Sequence, residues 1–174
     1  MASGVQHARA STLLTIPAAI FALGATNDPG LAFWCAVGSL SGVLLSPDLD
    51  IHRRTHSEYI VYKKLGNLAG ALWFALWWPY SWFIPHRSNL SHFPILGTAI
   101  RLLYMFGWYV LFWFAAHELL PGIPPVSLGA FSIPIWIWWA IVGLAISDTA
   151  HYIMDKPLGW LFPQKSWGRR KRRR

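Results

Sequence analysis

Four short motifs of this 174-residue chain carry histidine or aspartate, the side chains that commonly bind transition metals. Each motif lies at one end of a long apolar segment, where an ionisable group is costly to bury and is therefore a functional candidate. We expect the fold to gather them into a site for one or two divalent ions, with zinc favoured and Mn or Fe as alternatives. The predicted ligands are His7, Asp48, Asp50, His86, His92, His151 and Asp155.

The last motif, SDTAHYIMD, carries Asp148, His151 and Asp155 at positions i, i+3 and i+7. Residues at this spacing share one stripe of a helix, and the i, i+4 pair His151 and Asp155 could grip one ion. We predict that Asp148 orients a histidine or acts as a general base. The alternative is that these are helix-end polar groups that pair with Arg or Lys.

Two further motifs, SPDLD and HRSNLSH, supply four of the predicted ligands. Asp48 and Asp50 are two residues apart just after Pro47, so their carboxylates can converge only in an irregular turn. Ser91 is predicted to cap the next helix, with His92 in its first turn.

Arg87 lies between the two histidines of HRSNLSH. A guanidinium there could hold a phosphate or carboxylate in a bidentate grip, so we predict that Arg87 binds an anionic substrate. The alternative for Arg87 is a structural pair with Asp48 or Asp50. His7 either completes the metal cluster or is simply solvated near the N-terminus.

The elements that position these groups are predicted to be membrane helices. The chain is 55% apolar with 12 Trp, whereas soluble domains are about 45–50% apolar. The single Cys35 excludes an intrachain disulfide. We predict an all-α integral membrane bundle, with one transmembrane metal-binding domain over residues 1–163 and a basic cytoplasmic tail over 164–174. The four long apolar runs are Ala8–Thr26, Leu31–Ser46, Ile95–Leu119 and Phe131–Ile153.

A fifth apolar run, Leu65–Ile84, decides the topology. If it lies in the membrane interface or re-enters, all 15 Lys and Arg fall on one side, as the positive-inside rule prefers. The aromatic stretch Trp73–Trp82, broken by Pro79, suits the headgroup layer. We therefore predict about four spans, a multi-pass protein of a bacterial inner or internal membrane, and both termini in the cytoplasm. A plain fifth spanning helix is the alternative.

The net charge of +8 comes largely from a basic C-terminal run, RRKRRR at Arg169–Arg174. Beside a membrane segment such a run contacts anionic lipids, and a ribosome, RNA or protein contact is the alternative. We expect membrane lipids and a membrane protein complex as partners and disfavour nucleic acid.

At these motifs the chain resembles the YdjM-like family of membrane-bound metal-dependent hydrolases, in a bacterial branch described as uncharacterised metal-binding proteins. The resemblance covers most of the chain in the same order, except that SDTAH stands where the wider family has Gly or Ser directly before the His. It rests on His7, PDLD at Pro47–Asp50, WWPY at Trp77–Tyr80, HRSNLSH at His86–His92, SDTAHYIMD at Ser147–Asp155, and Pro163.

The resemblance implies a hydrolase, because the family looks remotely similar to zinc-dependent phospholipases C and single-strand nucleases. Those enzymes use a His-x-x-x-Asp pair on a helix, which His151 and Asp155 match. The function expected is therefore hydrolysis of a phosphoester, such as a phospholipid, at the cytoplasmic membrane face. A non-catalytic metal-binding assembly factor or small subunit of a membrane complex is the alternative, and a metal carrier is a third.

Overall fold

A computed structural model describes residues 3–51, 55–86, 88–120, 122, 124 and 132–156. These residues form helices and turns with no strand, which confirms the predicted all-α fold. Arg87, Pro163 and the basic tail lie outside the described residues. The α-helices are α1 Gly4–Leu13, α2 Thr15–Thr26, α3 Pro29–Ser41, α4 His56–Phe83, α5 Asn89–His92, α6 Pro94–Leu119 and α7 Ile135–Asp155, with a 3-10 turn at Pro47–Asp50.

Three of the described helical segments are long and apolar enough to cross a membrane: Gly4–Thr26, Pro94–Leu119 and Ile135–Asp155. The first joins α1 to α2 through Leu14, whose backbone stays in the right-handed helical region (φ −74°, ψ −8°). Helix α3 is also apolar but has only 13 residues. It is therefore about 20 Å long, short of the ~30 Å hydrocarbon core of a bilayer. Four spans thus stay a prediction.

The turn between α2 and α3 explains why these helices lie antiparallel and adjacent. Asn27 ends α2 with a left-handed backbone (φ 54°) and donates its N–H to Leu23. Asp28 then caps α3, its carboxylate accepting from the N–H groups of Gly30 and Leu31. Pro29 at the first helical position loses no hydrogen bond there.

Helices α3 and α7 form the most extensive contact of the fold and approach through small residues. A Cβ added at Gly38 would lie 1.9 Å from the carbonyl oxygen of Ala140, and one at Gly143 would lie 1.9 Å from that of Cys35. Neither glycine can therefore carry a side chain without separating the helices. Glycine at both positions lets the two backbones meet, as small residues do in membrane helix pairs.

Helix α4 contains the fifth apolar run and corrects one prediction about it. The helix continues through Pro79 to Phe83, and its backbone break lies instead at Gly66 (φ 89°, ψ 177°). A proline inside a helix removes one backbone hydrogen bond without necessarily ending it, whereas the extended backbone at Gly66 interrupts the helix. Helix α4 is not among the three described helices long and apolar enough to span; an interfacial or re-entrant segment remains a prediction.

We predict that Gly143→Ala lowers stability by about 1–3 kcal/mol, because the new methyl group meets the α3 backbone. Gly107→Ala in α6 is the matched control, since nothing lies within 4 Å of a Cβ placed there. Thermal unfolding in detergent, followed by circular dichroism, measures both. Equal midpoints for the two variants would contradict the close α3–α7 contact.

Candidate metal centre

The 3-10 turn Pro47–Asp50 holds two carboxylates because Leu49, between them, is anchored in an aromatic cluster. Leu49 is buried against Trp77 and Tyr80 of α4. Ser46 caps the turn, its hydroxyl accepting from the backbone N–H of Asp48 at 3.1 Å. With Leu49 fixed, Asp48 and Asp50 present their side chains to two different groups of histidines.

The first group brings together Asp48, His92, His151 and Asp155, whose ligand atoms all lie within 4.8 Å of one another. His151 Nε2 lies 3.6 Å from Asp48 Oδ1 and 3.5 Å from Asp155 Oδ2. His92 Nε2 lies 4.0 Å from each of the same two oxygens. Two nitrogens and two oxygens around one point are a donor set suited to Zn²⁺ and similar divalent ions. We call these four residues the quartet.

The quartet fits a cation better than it fits hydrogen bonding among its own members. His92 Nε2 and His151 Nε2 are buried and have no hydrogen-bond partner among the residues that the structure describes. Buried polar atoms normally have a partner, so two such nitrogens facing two carboxylates fit a bound cation. Their separation of 3.5–4.0 Å from the carboxylate oxygens leaves space between them.

The pKa shifts of Asp48 and His92, the two quartet residues outside α7, agree with metal binding. Burial lowers the pKa of His92 to about 4, against the opposing charge of Asp50, so its imidazole is neutral at pH 7. Burial alone would raise the pKa of Asp48, but the neighbouring His151, His7 and His92 outweigh it and hold that pKa below its usual value. A neutral imidazole and an ionised carboxylate are the protonation states that ligate a metal.

His7 stands beside the quartet and contacts two of its members. Its Nε2 lies 3.2 Å from Asp155 Oδ1, the carboxylate oxygen that faces away from His92 and His151. Its ring stacks on that of His151, with ring centroids 3.5 Å apart and planes 10° from parallel. His7 therefore contacts both α7 members of the quartet, and its role as a ligand stays a prediction.

The second group consists of Asp50, His86 and, again, His92. Asp50 is fully buried, and its Oδ1 lies 2.6 Å from His86 Nδ1. Its Oδ2 lies 3.6 Å from His92 Nδ1. His92 therefore turns one ring nitrogen to the quartet and the other to Asp50. His86, 36% exposed, connects this group to the surface.

Asp148 has a different environment from the one we predicted. Its carboxylate pairs with Arg101 of α6 and accepts a hydrogen bond from the hydroxyl of Thr98. Among the described residues, no histidine donates a hydrogen bond to this carboxylate. Both charged side chains are buried. Asp148 thus pairs with an arginine, as the alternative had it, and its role in orienting a histidine or as a general base stays a prediction.

Arg101 is the residue that our reasoning from sequence missed. The positive-inside pattern places it only among the basic residues of the predicted cytoplasmic side. The sequence does indicate a buried ion pair, because Arg101 lies two helical turns into the apolar run of α6, where a guanidinium needs a counter-ion. Asp148, on the carboxylate stripe of the predicted last helix, is a suitable counter-ion.

The loop before α6 also differs from the prediction. Ser91 and His92 belong to the short helix α5, while α6 begins at Pro94 with Phe93 in the capping position and no side-chain cap. The prediction that Ser91 caps the next helix is therefore wrong. Pro94 sets that helix start instead, since its ring favours the first helical position. The predicted substrate contact Arg87 lies outside the described residues.

We expect the Arg101–Asp148 pair to behave as one unit in stability measurements. Asp148→Ala or Arg101→Met alone should cost about 3–5 kcal/mol, because each leaves a buried charge without its partner. The double variant should cost clearly less than the sum of the two. A double-mutant cycle of chemical unfolding measures the difference, and additive losses would show that the two side chains do not interact.

Comparison with known proteins agrees with this chemistry. Residues 2–161 match the family described as "Uncharacterized metal-binding protein (DUF2227)". An uncharacterized protein of Aquifex aeolicus (strain VF5) is 30% identical over 131 residues, which cover 68% of this chain and 85% of that protein. No solved structure matches. The chain therefore belongs to the DUF2227 family of uncharacterized metal-binding proteins.

Proposed function

We propose that this protein is a metal-dependent hydrolase that binds a divalent ion, zinc in the first place, in the quartet and cleaves an anionic phosphoester. The observation that carries the proposal is the pair of buried, unpartnered imidazole nitrogens, within the described residues, that face two carboxylate oxygens. Mixed nitrogen and oxygen donors favour Zn, Mn or Fe over Mg or Ca, which take mainly oxygen ligands.

Each quartet residue has a role that follows from its position. His151 and Asp155 are one helical turn apart at the end of α7, so the helix fixes their separation. Asp48 approaches from the 3-10 turn and His92 from α5, and His7 restrains the second oxygen of Asp155. Asp48, His92, His151 and Asp155 would hold a divalent ion, which would supply Lewis-acid chemistry at a phosphoryl oxygen.

The surroundings of the quartet support a small anionic group as its substrate. Asp48 is the most exposed member, with 20% of its side chain accessible, so it marks the open side. A cavity of about 10 Å³ lined by His7 and Asp48 lies there, the least volume that holds one water. Exposed Arg9 and Lys156 flank the site in sequence, and Arg87 is the proposed bidentate contact to the phosphoryl group.

Burial of the quartet favours one alternative function. His92, His151 and Asp155 are nearly inaccessible, and structural metal sites are closed whereas catalytic sites keep an open position. A closed site would suit a non-catalytic assembly factor or small subunit of a membrane complex. The two functions differ in whether the metal site keeps a position open to substrate on the Asp48 side.

We further propose that the site faces the cytoplasm from a multi-pass membrane protein of the bacterial inner or an internal membrane. The support is the charge distribution together with three helices of spanning length and apolarity. Membrane lipids would be the main partners, and the basic tail over residues 164–174 would contact anionic lipid or a partner protein.

To test the topology, single cysteines are introduced at Ile123 and Asn89 after Cys35→Ala. A membrane-impermeant thiol reagent applied to intact cells should label position 123 and not position 89. Both should react once the membrane is permeabilised, which controls for buried thiols. Labelling of position 89 from outside would contradict the cytoplasmic placement of the site.

To test the quartet, His151→Ala and Asp155→Ala are combined. Purified wild-type protein should contain about one or two Zn, Mn or Fe ions per chain, and the double variant should lose most of them because two of four donors are gone. His117→Ala with Glu118→Ala, the His and Glu near the far end of α6, is the matched control and should keep its metal. Elemental analysis by mass spectrometry gives the counts; full occupancy in the quartet variant would exclude this site.

The enzymatic proposal is tested with metal-loaded protein and a panel of lipid and nucleotide phosphoesters. We expect turnover of at least one, with Arg87→Ala retaining the metal but losing activity. Arg87→Lys should recover little, since lysine lacks the bidentate fork. Absence of turnover on every phosphoester, with full metal content, would favour the assembly role instead.

A further inference from the structure

We propose that Ser91 and Asp50 are positioning residues that keep the proton of His92 on Nδ1 and so reserve the lone pair of Nε2 for the ion. The inference rests on the proposed metal site, because it names the residues that prepare one of its ligands. It assigns Asp50 and His86 a supporting position, although the sequence had suggested that both are ligands.

The hydroxyl of Ser91 sets the direction of the first hydrogen bond. Ser91 donates its O–H to the backbone carbonyl of Ser88 at 3.2 Å. The same oxygen lies 2.7 Å from His92 Nδ1. A hydroxyl has one proton to donate, so with that proton on Ser88 the oxygen accepts from His92. On this assignment Nδ1 carries the ring proton and Nε2 points its lone pair at the quartet, whereas a Ser91 proton donated to Nδ1 would reverse both.

Asp50 reinforces this tautomer by its charge. Its Oδ2 lies 3.6 Å from His92 Nδ1 in a fully buried position, where a carboxylate favours a proton on the nearer nitrogen. The other oxygen is held by His86 Nδ1 at 2.6 Å, so the carboxylate cannot rotate freely. A carboxylate behind a metal-binding histidine raises the basicity of the coordinating nitrogen.

Ser91 is itself fixed by α6. Its carbonyl oxygen accepts a hydrogen bond from Arg101 Nη1 at 3.4 Å. The same carbonyl oxygen packs closely against Gly97, where an added Cβ would lie 2.2 Å from it. Because Arg101 is paired with Asp148, the buried ion pair of α6 and α7 connects through Ser91 to His92. The ion pair would therefore influence the orientation of His92 as well as the stability of the fold.

One competing arrangement uses the same atoms. Asp50, His86 and His92 could hold a second ion of their own. That ion would need a lone pair on His92 Nδ1, which would have to give up its contact with Ser91. The tautomer of His92 in the metal-free protein therefore separates the two arrangements.

The direct experiment is NMR of protein labelled with ¹⁵N-histidine, recorded metal-free and then with Zn²⁺, with the His92→Gln variant identifying the signals of His92. We expect a protonated Nδ1 in both states and a zinc-induced shift at Nε2 alone. A proton on Nε2 without metal, or a zinc-induced loss of the Nδ1 proton, would overturn the proposal. If zinc shifts no histidine, the proposed metal site fails, while the metal-free spectrum still decides the tautomer.

Variants test the consequence for binding. Ser91→Ala should lower Zn²⁺ affinity, measured by chelator competition, by roughly 10–100-fold and weaken the tautomer preference in the spectrum. Thr149→Ala, which removes an exposed hydroxyl of α7, is the control and should change neither. Unchanged affinity in Ser91→Ala, or a drop from two zinc ions to one in His86→Ala, would contradict the positioning role.

Discussion

The constraint on which the structure depends is the burial of His92 Nε2 and His151 Nε2 without a hydrogen-bond partner among the described residues. Leaving a buried polar group unpaired costs about 1–3 kcal/mol, and two of them face carboxylates at 3.5–4.0 Å. A divalent ion between these groups would satisfy both nitrogens and offset the repulsion between the two carboxylates. The family to which the chain belongs is described as metal-binding, which agrees with that reading.

The rest of the fold brings those donors to one place from three separate parts of the chain. Helix α7 supplies His151 and Asp155, and its close contact with α3 through Gly38 and Gly143 fixes its position. Hydroxyl groups add polar contacts between helices: Ser11 of α1 and Ser147 of α7 lie 2.7 Å apart. The aromatic cluster on α4 holds Leu49, and with it the turn that carries Asp48.

The sequence predicted the helical class, which depends on local features, and the structure brings six of the predicted ligands into two adjoining groups. Apolar run length predicts helices, and the i, i+4 spacing of His151 and Asp155 determines their relation on any helix. Sequence could not assign places within the site. His7, Asp50 and His86 could each contact an ion or support another residue. The choice depends on distances across the fold, and the spacing of residues in the sequence does not give those distances.

The differences from these predictions have a common physical origin in tertiary contacts that override local patterns. Asp148 turned to Arg101 because α6 packs beside α7 at that level, a pairing that no local motif records. The sequence predicts that Ser91 caps α6, but a short helix intervenes and places the Ser91 hydroxyl oxygen 2.7 Å from His92 Nδ1. Pro79 was expected to break α4, yet the backbone turns at Gly66, where glycine accepts a positive φ.

The most direct test of the central claim is a crystal structure of the zinc-loaded protein, with anomalous scattering recorded on both sides of the zinc absorption edge. We predict one anomalous peak about 2.0–2.2 Å from His92 Nε2, His151 Nε2 and a carboxylate oxygen of each of Asp48 and Asp155. A peak bound instead by Asp50 and His86, or no peak within reach of the quartet, would contradict the account.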